Sequence, residues 1–293
     1  MTGASGRTFQ LIVNPGSGGG TACAAVVPVA RLLRDAGATV EVTYSPGPAR
    51  CRTVVAESAA RGEVVVAVGG DGMVASLAGS VVAAGGVLGV VPSGRGNDFA
   101  RHLGIPHQAQ EVAATLLHSR PRAVDVIEAG EHVVVGSVYA GVDSRASELV
   151  DRAHRLPRSL QYPYAAVRAL ATYRPTRYRV EVDGVVHEHE AATVVVANSA
   201  FYGKGMRIAP DASMEDGLLD IILIRATSKL RLIRSMPKLY DGSHVALDEV
   251  LVWRGRTVSL SAAEPVTAYG DGERLVDLPM TVRVRPRTLQ VLA

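Results

Sequence analysis

EVVVAVGGDG, residues 63–72, is the stretch from which the rest of the chain is read. Val64, Val65, Val66 and Val68 make a β-branched run, bounded by glycine and too short for a buried helix, so residues 64–68 are predicted to form an interior parallel strand. Gly69, Gly70 and Gly72 begin where that strand ends. Ligands of open α/β sheets bind beyond the carboxyl ends of the strands, and glycines there let backbone amides approach a phosphate. Asp71 lies among them. A carboxylate beside a polyanion is repulsive unless a cation lies between, so Asp71 points to a nucleotide carried as its magnesium complex.

The same rhythm extends outward on both sides. Upstream, residues 9–13 are predicted as the first strand, NPGSGGG at 14–20 as a loop and residues 21–36 as a helix ended by Gly37. That glycine-rich turn is either a plain tight turn or a phosphate cradle built from amides at a helix start. It lacks the Gly-Lys-Ser/Thr of a full Walker A loop. Residues 38–43 predict a strand and 48–61 a helix. Downstream, residues 73–84 are apolar almost all round and predict a helix sandwiched in the core. VLGVVPSGRGNDFAR at 87–101 then repeats strand, glycine loop and helix start, with Asn97 and Asp98 suited to an N-cap.

An amphipathic helix is predicted at 108–119, and after Pro121 the rhythm changes. Strands are expected at 123–128, 132–139, 178–182, 185–197 and 218–224, with Asp183-Gly184 as a hairpin turn. The change marks a domain boundary, giving domains at 1–121 and 122–293. Asp125 is the one charge in an apolar strand, so it is paired, near a cation, or on an exposed edge. Residues 227–241, TSKLRLIRSMPKLYD, predict a helix with Leu230, Ile233 and Leu239 inward and Lys229, Arg231, Arg234 and Lys238 outward, bent or ended at Pro237. Such a basic amphipathic segment suits a membrane surface, or is solvated charge over a core face.

Composition narrows the class. With 293 residues, 47% hydrophobic and 20% charged, the chain is a folded globular protein of one large or two medium domains. No apolar run approaches the roughly 18 residues needed to span a bilayer. The N-terminal MTGASGRTFQLIVNP is too poor in apolar residues for a secretory signal. Cys23 and Cys51 are the only cysteines, which fits small core residues in the cytoplasm rather than a disulfide framework. A net charge of +3 suits an anionic ligand or surface, and no nucleic-acid partner is expected. Arg145, Arg152, Arg155, Arg158, Arg168, Arg174, Arg177 and Arg179 concentrate positive charge at 145–179. The histidines show no zinc-site spacing.

NPGSGGG, GGDG, SGRGNDFAR, APDASMEDGLLD at 209–220 and DGE at 271–273, in that order, resemble the bacterial diacylglycerol kinase family of soluble lipid kinases. The resemblance implies a doubly wound N-terminal α/β nucleotide domain and a C-terminal antiparallel β-sandwich, with residues 289–292 returning to the first domain. It places Asn14, Pro15, Gly16, Ser17, Gly18, Thr43, Gly69, Gly70, Asp71, Gly72, Met73, Arg95 and Asn97 at nucleotide-contacting positions. Asp98, Arg101 and Asp125 fall on a polar network near the phosphates. Ser213, Asp216 and, through its carbonyl, Leu218 fall on a structural magnesium site, and Glu273 on the catalytic base, with Asp71 beside the metal-bound triphosphate. Read alone, Thr43 is equally a surface threonine, Asp216-Gly217 an ordinary turn and YGDGE at 269–273 another.

The chain departs from the family pattern at Met73, Ala75 and Ser76, where relatives carry threonine and Asn-Glu, and at Arg95, often threonine in relatives. Arg95 binds triphosphate or points into water, and Lys204 faces the phosphate or the membrane. The resemblance implies transfer of the ATP γ-phosphoryl group to a lipid hydroxyl, that of diacylglycerol, by a cytoplasmic protein peripheral to the inner face of an anionic membrane. ATP and Mg2+ are the expected cofactors, and a homodimer stays open. An NAD kinase-like enzyme and a noncatalytic nucleotide or lipid sensor are the competing readings.

Overall fold

The computed structural model describes residues 6–15, 20–45, 47–152, 158–172 and 174–293. The chain divides into two compact units, one of Met1–Val126, Gly203–Gly205 and Pro286–Ala293, the other of Ile127–Tyr202 and Met206–Arg285. No helix among the described residues is long and apolar enough to cross a membrane.

The first unit alternates strand and helix: β1 (Thr8–Val13), α1 (Thr21–Asp35), β2 (Thr39–Tyr44), α2 (Pro48–Ala60), β3 (Val64–Gly69), α3 (Asp71–Ala83), β4 (Val87–Pro92), α4 (Asp98–Leu103), α5 (Ala109–His118) and the start of β5 (Pro121–Ala129). Strands β2, β1, β3 and β4 lie parallel in that order, and Gln290 and Val291 of the returning last strand add to β4. Side chains alternate across a strand. Val64, Val66 and Val68 therefore join Phe9, Leu11 and Val13 under α1 and α5, while Val65 and Ala67, fully buried, face the other side. Helices α2 and α3 also contact β3, so the sheet is covered twice, as the unbroken valine run requires.

The second unit is antiparallel. Its elements are β6 (His132–Val134), β7 (Ser137–Gly141), α6 (Val142–Arg152), α7 (Arg158–Thr172), β8 (Thr176–Val182), β9 (Val185–Ala197), β10 (Leu219–Arg225), α8 (Lys229–Ser235), α9 (Lys238–Asp241), β11 (Val250–Gly255), β12 (Thr257–Ala262), β13 (Thr267–Gly270), β14 (Glu273–Asp277) and the first part of β15 (Met280–Leu292), whose end belongs to the first unit. Strand β9 pairs with β7, β8 and β10. Val194 and Val196 of β9 enter one core with Val180, Ile221 and Leu260, while Val195 and Ala197 enter another with Tyr139, Ile222 and Tyr269. That two-sided burial makes the unit sandwich-like. At the β8–β9 hairpin, Asp183 (φ 48) and Gly184 (φ 88) are both left-handed, the geometry an Asp-Gly turn provides.

Two expectations change, at 132–139 and 227–241, and the arginine-rich stretch between them gains its secondary structure. Residues 132–139 are two strands, because Val135 and Gly136 leave the ladder to bond Asp271. The arginine-rich stretch holds helices α6 and α7, which share a small core of Leu149, Ala165 and Ala169. Two of its arginines are ion-paired, Arg145 with Glu148 and Arg179 with Glu181 and Glu188. Arg155 lies outside the described residues. Residues 227–241 form two short helices broken at Met236–Pro237, where the proline ring cannot continue the ladder. Of the three apolar residues expected to face inward only Leu239 does, against the Tyr139–Tyr269 core, while Leu230 and Ile233 are exposed.

Candidate functional site

In the first unit the loops following β3 and β4 touch backbone to backbone. A Cβ on Gly94 would lie 2.4 Å from Gly70 Cα, and one on Gly70 would lie 2.9 Å from Gly94 Cα. Only glycine permits this approach. Asn97, at φ 53, locks the second loop: its Oδ1 accepts the Gly94 N–H at 2.9 Å and its Nδ2 donates to Gly94 O at 3.1 Å. The Asn97 side chain is thus committed to its own loop, and it makes no side-chain cap on α4.

Two carboxylates converge at the start of α4. Asp71, in the first turn of α3, accepts the Phe99 N–H at 3.2 Å and so serves as a cap for α4 from a distant loop. Asp98 accepts the amides of Lys204 at 2.8 Å and Gly205 at 2.6 Å. Burial first, then the neighbouring Asp71, push the Asp98 carboxyl above its ordinary range, while the two amides and Arg101 pull it down. Gly96 lies directly over the pair, since a Cβ there would meet Asp71 Oδ2 at 2.8 Å and Asp98 Oδ2 at 3.4 Å. The Arg101 guanidinium rests against Gly205 and donates to Gly96 O at 3.4 Å. Asp71, Asp98 and Arg101 therefore lie together at the start of α4. Asp125, fully buried, accepts the Arg287 N–H at 2.7 Å, and its burial removes the exposed-edge reading.

The other nucleotide positions divide. Thr43 is half-buried and its hydroxyl accepts from Gln10 at 2.9 Å. Asn14, Pro15, Gly72 and Arg95 are exposed. Met73 turns its side chain into the core, so that only its backbone faces the loop. Gly16, Ser17 and Gly18 lie outside the described residues. Ser93 was not anticipated: its hydroxyl is buried without a hydrogen-bond partner at the head of the second glycine loop. A hydroxyl between a buried strand and SGRG-type glycines is the signal that would have found it.

In the second unit Glu273 is exposed at the first position of β14. The turn that carries it is fastened by Asp271, whose carboxylate accepts the N–H groups of Val135 at 2.7 Å, Gly136 at 2.9 Å and Ser137 at 3.1 Å. A Cβ on Gly136 would come within 2.6 Å of that carboxylate. At the remaining turn, Ser213 Oγ accepts the Glu215 N–H and Asp216 Oδ1 accepts the Leu218 N–H at 3.0 Å. Asp216 Oδ2 is ion-paired with Arg254, which also reaches buried Asp220 at 3.2 Å.

Both units have relatives. The family described as diacylglycerol kinase catalytic domain matches residues 8–129, and the YegS C-terminal NAD kinase beta sandwich-like domain matches residues 136–293. A diacylglycerol kinase of Mycobacterium tuberculosis is 31% identical over 291 residues, covering 96% of this chain and 93% of the relative. One from Bacillus subtilis is 26% identical over 276 residues, covering 91% and 90%. A "probable lipid kinase YegS-like" of Yersinia enterocolitica is 25% identical, with 88% of each chain covered. The crystal structure of a diacylglycerol kinase from Bacillus anthracis shares the fold with a TM-score of 0.72 at 18% identity, over 98% of this chain and 96% of that one.

Proposed function

The chain belongs to the diacylglycerol kinase family of lipid kinases, and from that premise we infer that it transfers the γ-phosphoryl group of ATP to a lipid hydroxyl, that of diacylglycerol, giving phosphatidic acid. The observation that carries this reading is the pair of glycine loops packed backbone to backbone at Gly70 and Gly94, with Gly96 set directly over the Asp71–Asp98 pair. Glycine backbone unscreened by side chains suits a phosphate chain, and the partnerless Ser93 hydroxyl is a ready donor in the same loop.

The donor set at this point fits a hard cation, because burial and the Asp71 charge make the Asp98 carboxylate costly to ionise and oxygen is all the two side chains offer. Magnesium held with the nucleotide by Asp71 and Asp98 would supply charge neutralisation across the phosphates. Ser213, Asp216 and Leu218 fit a cation poorly as they stand, since Arg254 already holds Asp216. No step is assigned to that turn.

Phosphoryl transfer of this kind asks the protein mainly to position groups. The acceptor hydroxyl oxygen bonds to the γ-phosphorus as the bond from that phosphorus to the β–γ bridging oxygen breaks, and ADP departs. Glu273 accepts the hydroxyl proton. An ordinary carboxylate is far too weak to ionise an alcohol beforehand, so the proton moves late, as the new bond forms. Asp271 acts as a positioning residue, fixing the turn from which Glu273 projects.

The test is a radiolabelled transfer assay with diacylglycerol, monoacylglycerol, a sphingoid base and NAD offered as separate acceptors. Label in phosphatidic acid is expected. Label only on NAD or on another lipid overturns the acceptor, and nucleotide binding without any transfer overturns the kinase reading in favour of a sensor.

A further inference from the structure

Helices α8 and α9 turn a row of large apolar side chains to solvent. Leu230 is 55% exposed, Ile233 50%, Met236 43% and Tyr240 59%. The backbone stays right-handed through Met236 (φ -54, ψ -41) and Pro237 (φ -57, ψ -33). Leu230 and Ile233 lie three positions apart on one face of α8, and Met236 and Tyr240 continue the exposed row beyond its end. Leu232 and Leu239, on the other side, are half-buried. The fold therefore has one apolar face of this segment covered and a second face left in water.

The rim of that second face is cationic. Arg234 and Lys238 are exposed and form no ion pair among the described residues, although the Lys238 charge helps to lower the Glu249 carboxyl, which is held by Arg231 at 2.7 and 2.8 Å. Exposed Arg207, whose N–H donates to Leu239 O at 2.6 Å, adds a further charge beside α9. No acid occurs between Lys229 and Tyr240. Lys229 donates to the Ala171 carbonyl at the end of α7, whose outer side exposes Val167 at 70% and Tyr164 at 41%.

We propose that this face of α8 and α9 docks the protein on an anionic phospholipid bilayer, with Leu230, Ile233, Met236 and Tyr240 entering the acyl boundary and Arg234, Lys238 and Arg207 meeting lipid phosphates. An apolar row flanked by exposed cations matches the layering of hydrocarbon beneath anionic headgroups. Tyrosine, apolar in body and polar at its tip, suits the boundary itself. The lipid-kinase reading gives the docking its purpose, but the binding needs no turnover.

The experiment is vesicle flotation of the full chain without nucleotide, on phosphatidylcholine alone and on an equal mixture with phosphatidylglycerol. The wild type is expected to float with the anionic vesicles. Leu230→Ser/Ile233→Ser removes two exposed apolar groups that the bilayer would bury, at about tenfold or more each, and lowers partitioning about a hundredfold. Arg234→Gln/Lys238→Gln, which alters exposed atoms only, lowers it by about fivefold per charge. The charge variant decides the matter if the apolar variant misfolds. Flotation of both variants like the wild type overturns the proposal. So does a wild-type dimer that Leu230→Ser/Ile233→Ser converts to monomer, since the occupant is then a second copy. Vesicle binding without lipid phosphorylation would overturn the kinase reading alone, and phosphorylation without vesicle binding the docking alone.

Discussion

Gly94→Ala tests the loop contact on which the nucleotide reading stands. The added Cβ would lie 2.4 Å from Gly70 Cα and 2.8 Å from Asn97 Oδ1, where non-bonded carbons rest about 3.5–4.0 Å apart. Neither neighbour is the loose end of a side chain: one is backbone, and the other is tied at both ends to Gly94. Displacing Asn97 gives up two hydrogen bonds at about 1 kcal/mol each, and the overpacking itself costs about 1–3 kcal/mol. The expected loss is thus about 3–5 kcal/mol, a large part of the roughly 5–15 kcal/mol that keeps a domain folded. Urea denaturation measures it, with Gly72→Ala as the control. Gly72 faces open space near the start of α3, where alanine is tolerated or preferred by up to about 1 kcal/mol. Titration calorimetry with ATP should show weakened binding for Gly94→Ala, because the two loops no longer meet. A Gly94→Ala protein with the wild-type midpoint and wild-type ATP affinity would refute the reasoning.

Other substitutions probe the remaining sites. Loss of water pushes the Asp143 carboxyl above its ordinary range, although Thr193 at 3.0 Å and Tyr202 at 3.3 Å donate to it. A folded pKa above the unfolded one gives stability that is complete below the unfolded pKa and lost as pH rises through the folded one. Asp143→Asn should therefore melt higher than wild type at pH 8 and not at pH 4; a constant difference at both would contradict this. Asp271→Ala strands three amides and should cost at least about 2 kcal/mol, lowering kcat with ATP affinity intact. Asp271→Asn should recover part of both, and an unchanged kcat for the alanine variant would remove Asp271 from positioning Glu273. Arg254→Ala leaves buried Asp220 without its cation and should lose about 1–3 kcal/mol, discounted because Arg254 is itself 41% exposed. Added magnesium should raise the Tm of that variant more than that of wild type; equal shifts would show that the Ser213–Leu218 turn gains no affinity for a cation when freed.

The α/β half was legible because each glycine cluster ends a buried valine or leucine strand, as at Gly69 and Pro92, so the period changes abruptly there. Asp183-Gly184 was legible for a local reason too, being a turn that requires two left-handed residues. What escaped depends on residues remote in sequence. Asp271 finds its amides 134 to 136 positions earlier, and their pull is what divides 132–139 into two strands. Helices α6 and α7 bury mostly small or isolated apolar residues among arginines, although Val142, Ala146, Leu149 and Val150 recur at helical spacing. Asn97 shows the limit of matching by residue type. Asn97 spends its amide on its own loop, which its sequence position does not show, whereas Met73 sits in the core as a helix apolar all round requires. The solvent-facing row of α8 escaped because both of its faces carry leucine, and only packing chooses between them.

The most direct measurement is transfer of labelled phosphate from ATP to diacylglycerol by wild type and by Glu273→Gln, with ATP affinity determined on the same two preparations. Removing a general base lowers rates about 100- to 10,000-fold. The account predicts that loss of transfer together with unchanged ATP affinity. Transfer by Glu273→Gln at the wild-type rate would contradict it.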